Sequence, residues 1–118
     1  MTDYNQLKVR TSFAAKVLIK MKQVLFPGSA EYWEKRYAYG GSSGQGSYGR
    51  LAKFKAEILN NFVSEQRVGS VIEFGCGDGN QLKLAKYRDY VGLDISEKAV
   101  ALCKEKFIND TSKSFFLY

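Results

Sequence analysis

The sequence predicts an α/β fold: a doubly wound parallel sheet of which only the first half is present, with strands in the order 3-2-1, preceded by amino-terminal helices. Three observations carry this. The apolar run Val71-Ile72-Glu73-Phe74 meets a glycine cluster, Gly75-Cys76-Gly77-Asp78-Gly79. A second apolar run, Tyr90-Val91-Gly92-Leu93, ends in Asp94, 21 positions after Glu73. Helical periodicity lies before the first run and after the second, and right-handed crossovers then fix the strand order.

Two regions follow: residues 1–28, a basic amphipathic helical segment, and residues 29–118, the α/β part. The second divides into helices and a glycine-rich loop (29–69) and a βαβαβ stretch (70–118). Residues 5–25 place Phe13, Ala14, Val17, Leu18, Met21, Val24 and Leu25 on one helical side and Lys8, Lys16, Lys20 and Lys22 on the other. Such a stripe is the ordinary pattern of a helix packed on protein. An interfacial membrane helix is the alternative. Pro27-Gly28 ends the segment.

Glu31 to Tyr39 is dense in aromatics, with Trp33 and Tyr37 on one helix face, suited to anchoring a short helix or walling a pocket. Gly40 to Ser47 is a flexible, glycine- and serine-rich stretch that reads equally as a linker or as a lid. Arg50 to Ser64 forms a second amphipathic helix, and Leu51, Phe54, Ile58 and Phe62 are expected to pack on the sheet. A short helix from Asn80 to about Tyr87 should link the first two strands. Ser96 is an N-cap with Glu97 in the first turn, opening a helix whose buried face is Ala99, Val100, Cys103 and Phe107. Asn109 to Ser112 is a turn, and Ser114 to Tyr118 starts a third strand, an edge whose Phe115, Phe116, Leu117 and Tyr118 are expected to face water with little cover.

The glycine turn carries the chemistry. Glycine lets backbone turn tightly and approach a ligand closely. A helix beginning near Asn80 would present free N–H groups to that ligand, with Asp78 as its cap. Asp94, at a strand end, can accept both hydroxyls of a ribose. A dinucleotide fingerprint, G-x-G-x-x-G, would need glycine where Asn80 stands. The pattern is instead acid-x-G-x-G-x-G: Glu73, Gly75, Gly77, Gly79.

This pattern resembles the first motif of class I S-adenosylmethionine-dependent methyltransferases, and Asp94 matches that family's ribose-binding acid. The resemblance is clearest over residues 69–96 and extends loosely to Tyr32-Trp33-Glu34-Lys35-Arg36-Tyr37. It implies a Rossmann-like sheet and S-adenosylmethionine as cofactor. It also implies that Glu73, Gly75, Gly77 and Gly79 hold the methionine end and Asp94 the ribose. Ile95 is placed to pack on adenine, Cys76 lies within the turn as a small residue, and Trp33 and Tyr48 are candidate pocket residues. The family's adenine contact after the third strand and its substrate residues lie beyond Tyr118. The chain is therefore expected to be the cofactor-binding part of a methyltransferase, with a small-molecule acceptor and no activity of its own. A nicotinamide-binding oxidoreductase fragment and a non-catalytic basic binding module are the competing readings.

Composition sets the outer bounds. With 118 residues and 45% apolar content, one domain with a core is expected. No run is apolar enough to span a bilayer, no signal peptide opens the chain, and a cytoplasmic location is expected. Cys76 and Cys103 suggest neither a disulfide framework nor a metal site. The chain has no histidine, so the commonest general base is missing and Cys76 has nothing to activate it as a nucleophile. No catalytic residue can be named. The net charge is +6, and residues 1–26 set five basic side chains against Asp3. That is the usual composition of a solvated face, so neither nucleic-acid binding nor stable membrane insertion is expected. Self-association through an uncovered sheet edge is.

Overall fold

The computed structural model describes residues 28–118, together with Phe13, Ala14, Lys16, Val17 and Lys20. Those five positions are helical and exposed. The rest of the amphipathic segment expected over residues 5–25 lies outside the described residues. Among the described residues, no helix is long and apolar enough to cross a membrane.

The elements run α1 (Ser29–Ala38), a 3-10 turn (Gln45–Ser47), α2 (Gly49–Glu65), β1 (Ser70–Phe74), a second 3-10 turn (Leu82–Leu84), β2 (Asp89–Asp94), α3 (Glu97–Lys106) and β3 (Lys113–Leu117). The three strands are parallel and β2 is central, which is the expected order. β1 pairs with β2 from Ser70 opposite Asp89 to Phe74 opposite Leu93. β2 pairs with β3 from Tyr90 opposite Lys113 to Asp94 opposite Leu117. This register brings Gly75 and Asp94 to the same carboxyl-terminal edge of the sheet, where ligands bind in open α/β sheets.

Alternation decides which face is covered. Tyr90 and Phe115 point to one face and join Cys76, Leu82, Val100 and Cys103 in the core, with Val71, Ala85, Tyr87 and Phe107 packed around them. Phe107 stacks on Phe115 at 5.7 Å and Tyr87 on Tyr90 at 5.8 Å. Helix α3 supplies the cover through the expected side chains. Ser96 caps it, its Oγ accepting from the Ala99 N–H at 3.1 Å. Glu97 in the first turn, with Lys104 and Lys106 in the last, suits the helix dipole.

Three expectations are corrected. Asn80 to Tyr87 does not form a helix; only the 3-10 turn at Leu82–Leu84 is present. Asn60 of α2 pins this stretch, its Nδ2 donating to the Leu84 carbonyl and its Oδ1 accepting from the Lys86 N–H. Second, α2 does not lay its apolar stripe on the sheet. Leu51, Phe54, Ile58 and Phe62 are exposed, and the buried positions are Ala52 and Ala56. The helix approaches the two 3-10 turns along this small-residue face, which is where Gln81 reaches the Ala52 carbonyl. Third, Phe115 does not face water: it is 4% exposed, while Phe116, Leu117 and Tyr118 are exposed as expected.

Candidate functional site

β1 ends in Phe74, and the chain must then turn under the sheet edge. Gly75 does this at a φ of 86°, a left-handed conformation that costs other residues a Cβ clash. The turn is fastened by the Gly75 and Cys76 N–H groups, which both donate to the Leu93 carbonyl, at 2.7 and 3.0 Å. Asp94 fastens it again. Its Oδ2 accepts from the Gly77 N–H at 2.8 Å and its Oδ1 from the Ser96 N–H at 2.9 Å. One buried carboxylate thus ties the glycine turn to the start of α3.

Above this turn lies a cavity of about 390 Å³ lined by, among others, Glu73, Gly75, Cys76, Gly77, Asp94 and Ile95. Six of the seven sequence-predicted site residues are therefore brought together. Gly79 is not among them. A Cβ at Gly79 would stand 2.8 Å from the Phe107 ring and 3.1 Å from the Cys103 sulfur, so this glycine serves close packing against α3. Trp33 lines the cavity and Tyr48 does not.

The far wall comes from the amino-terminal side. Trp33 and Tyr37 of α1 stack at 5.9 Å, and Arg36 lies over the Trp33 ring at 5.5 Å. α1 is seated by Glu34, which accepts from Ser96 Oγ at 2.7 Å and from the Lys98 N–H at 3.0 Å. Those bonds, the Lys98 N–H first, hold the Glu34 carboxyl below its ordinary value. The glycine-rich loop closes the remaining side. Arg36 Nε donates to the Ser42 carbonyl at 2.6 Å and Tyr37 shares a 2.8 Å hydrogen bond with Ser43.

Asp78 joins that loop to the turn. Its carboxylate accepts from the Ser43 N–H, the Tyr48 hydroxyl and the Asn80 N–H. Burial pushes its pKa up, but these bonds outweigh burial and the net shift is downward. Asp78 closes an Asx turn and holds the loop; there is no helix here for it to cap. The same contact raises the Tyr48 hydroxyl to about 12.

The remaining shifts at the site are upward. Glu73 Oε1 accepts from the Tyr90 hydroxyl at 2.8 Å, and burial raises the Glu73 carboxyl. Burial also raises Tyr37 and Tyr90. Cys76 is raised by the neighbouring Cys103 thiol and then by burial, so it stays a protonated packing residue. Both cysteines are free.

Sequence reasoning did not assign Tyr37, Ser43, Ser47, Lys55, Gln81 or Tyr118 to the site, and all six line the cavity. Tyr37 carried a signal through its helical spacing from Trp33, and Ser43 and Ser47 through the lid reading of their stretch. The others arrive by tertiary folding of the loop, α2 and the strand end.

No family model matches the chain. Among curated proteins it is 33% identical over 82 residues to the eEF1A lysine and N-terminal methyltransferase of Mus musculus, covering 67% of this chain and 11% of that protein. Among solved structures it is similar to one from Staphylococcus aureus assigned as a caffeoyl-CoA O-methyltransferase (TM-score 0.52, 13% identity, 87% of this chain and 49% of that one). An assigned O-methyltransferase from Klebsiella pneumoniae is similar to the same degree (TM-score 0.51, 12% identity, 86% and 49%). The chain thus spans about half the length of these structures and about a tenth of the curated relative. With the glycine turn, the strand-end acid and the parallel sheet in place, the chain is a class I methyltransferase-like segment, built on the fold of the S-adenosylmethionine-dependent enzymes.

Proposed function

We propose that the chain is the cofactor-binding part of an S-adenosylmethionine-dependent methyltransferase, acting in the cytoplasm on a small-molecule acceptor. The observation that carries this is the cavity itself, where Glu73, Gly75, Gly77, Asp94 and Ile95 meet at the carboxyl edge of a parallel sheet. Its volume of about 390 Å³ is in the range of small-molecule sites.

The residues fit the group. Each Asp94 oxygen accepts one intramolecular bond and keeps a second acceptor position, enough for two ribose hydroxyls. Ile95 offers an apolar surface beside it for adenine. Glu73 lines the cavity and accepts from Tyr90 through one oxygen, the other making no hydrogen bond among the described residues. A buried acceptor, Gln81 Oε1, has no partner among the described residues, and such atoms are rarely left unpaired.

When bound, the cofactor would supply an electrophilic methyl group on a sulfonium. The chain's own contribution is orientation and exclusion of water, which is most of what an in-line displacement asks of an enzyme. Trp33, Tyr37 and the Ser43–Ser47 loop would form the water-excluding wall. None of the tyrosines raised in pKa is poised as a base, and no base is assigned.

A nicotinamide dinucleotide is the weaker reading. Its pyrophosphate needs a helix N-terminus after the glycine turn, and this chain has a three-residue 3-10 turn there. Isothermal titration with S-adenosylmethionine, S-adenosylhomocysteine and NADH tests the proposal. Binding of the two sulfur compounds is expected. Binding of NADH alone, or of none, would refute it.

A further inference from the structure

Two side chains in the cavity keep polar groups that the described residues leave unpaired. Gln81 donates its Nε2 to the Ala52 carbonyl at 3.0 Å, and its Oε1 is buried without a hydrogen-bond partner among the described residues. The amide cannot be flipped to relieve this, because the Ala52 oxygen only accepts and would then face another acceptor. Lys55, one turn along α2 from Ala52, also lines the cavity, its Nζ reaching to the glycine-rich loop at Gly46. It makes no hydrogen bond or ion pair among the described residues. Glu73 lies within electrostatic reach of it and lines the same space.

These groups ask for a particular ligand chemistry. Gln81 Oε1 and the available oxygen of Glu73 need a donor, and a cationic N–H donor suits both best. Lys55 needs an anion. A ligand carrying an ammonium and a carboxylate on one carbon would meet all three. We propose that Gln81 and Lys55 form a zwitterion-binding pole that takes an α-amino-acid group, Gln81 and Glu73 accepting from its ammonium and Lys55 pairing with its carboxylate. The inference rests on the cofactor assignment above and adds the two residues that would select a cofactor with an intact amino-acid end.

The test compares two ligands that share the nucleoside and thioether and differ in the amino-acid group: S-adenosylhomocysteine and 5′-methylthioadenosine. Both are titrated into the full chain, its Lys55→Met variant and its Gln81→Leu variant. The unsubstituted chain should bind S-adenosylhomocysteine at least about tenfold more tightly than 5′-methylthioadenosine. Each substitution should lower S-adenosylhomocysteine affinity about tenfold and leave 5′-methylthioadenosine nearly unchanged, so the preference collapses. Should Gln81→Leu lose both ligands, the pocket itself has been lost, and Lys55→Met, at a half-buried helix position, decides alone. Equal binding of the two ligands by the unsubstituted chain, or a preference that survives Lys55→Met, would overturn the inference and leave the nucleoside site standing. Binding of neither ligand would remove the cofactor assignment and the pole with it.

Discussion

Ser43 and Asp78 hold each other at both ends: the Ser43 N–H donates to the Asp78 carboxylate at 3.1 Å, and the Asp78 N–H donates to Ser43 Oγ at 3.0 Å. The two residues are 35 positions apart, so this reciprocal pair closes a long stretch of chain onto the glycine turn. It answers the question the loop sequence leaves open. The Gly40–Ser47 stretch is not a free linker but a wall fastened over the cavity.

Asp78→Ala should therefore release the loop. It removes the carboxylate bonds to Ser43, Tyr48 and Asn80 and leaves partly buried donors unpaired, a loss of about 1–3 kcal/mol by urea unfolding. The carboxyl has a folded-state pKa below its ordinary 3.8. Its contribution is therefore complete above the unfolded-state pKa and disappears as pH falls through the folded-state pKa. Unfolding midpoints of the two proteins should differ at pH 7 and converge in strong acid, below about pH 4. A constant difference across that range would assign the effect to packing alone.

Asp94 has two jobs, and its substitution should show both. Asp94→Ala strands the Gly77 and Ser96 N–H groups, lowering stability by about 2–3 kcal/mol. If the carboxylate also accepts ribose hydroxyls, S-adenosylhomocysteine binding should weaken by about 2–4 kcal/mol in protein shown to be folded. Calorimetric titration below the melting transition separates the two. A folded variant with unchanged affinity would leave Asp94 as a structural staple only.

Much of this arrangement was legible in the sequence, because it depends on local chemistry. Apolar runs, a cap at Ser96 and the spacing of Ala99, Val100 and Cys103 fix strands, helix start and buried face without reference to the rest of the chain. The expected helix at Asn80 failed for a reason of length. Fourteen residues separate Phe74 from Asp89, and the glycine turn takes five of them. A five-residue strand is about 16 Å long, and a helix running back along it needs about eleven residues. The remaining nine settle into a 3-10 turn held by Asn60. The exposed stripe on α2 and the roles of Gln81, Lys55 and Ser43 depend on contacts between distant segments, and residue types alone do not encode those.

Two glycines of the turn should both lose stability on substitution by alanine but differ in what happens to ligand binding. Gly79→Ala drives a Cβ to within 2.8 Å of the Phe107 ring, so it should cost about 1–3 kcal/mol of stability through overpacking. Ligand affinity of the protein that remains folded should be unchanged. A Cβ at Gly75 meets nothing within 4 Å, although the φ of 86° is unfavourable for alanine. Gly75→Ala should cost about 1–2 kcal/mol in backbone strain and, because this residue lines the cavity, should weaken ligand binding. Thermal melts and titrations on the pair distinguish packing glycine from cavity glycine. The reverse pattern would show that the cavity wall has been misassigned.

The final prediction concerns the uncovered face of the sheet. Phe74, Leu93 and Phe116 form a row across all three strands, and Ile72, Val91 and Ser114 form the next. Phe74 is 73% exposed, Ile72 62% and Phe116 54%. Parallel sheets are normally covered on both faces, whereas among the described residues α3 covers one. β1 and β3 each pair only with β2 among the described residues, so both present an open edge beside this apolar surface. Open edges and exposed apolar rows favour pairing with another chain. Residues 1–118 alone should therefore self-associate, with a sedimentation coefficient that rises with concentration. Phe74→Glu and Phe116→Lys place charges on the open face without touching the core around Tyr90, Val100 and Phe115. Each should shift the protein toward monomer while far-ultraviolet circular dichroism stays unchanged. A concentration-independent monomer for the unsubstituted chain would show that another segment already covers these rows.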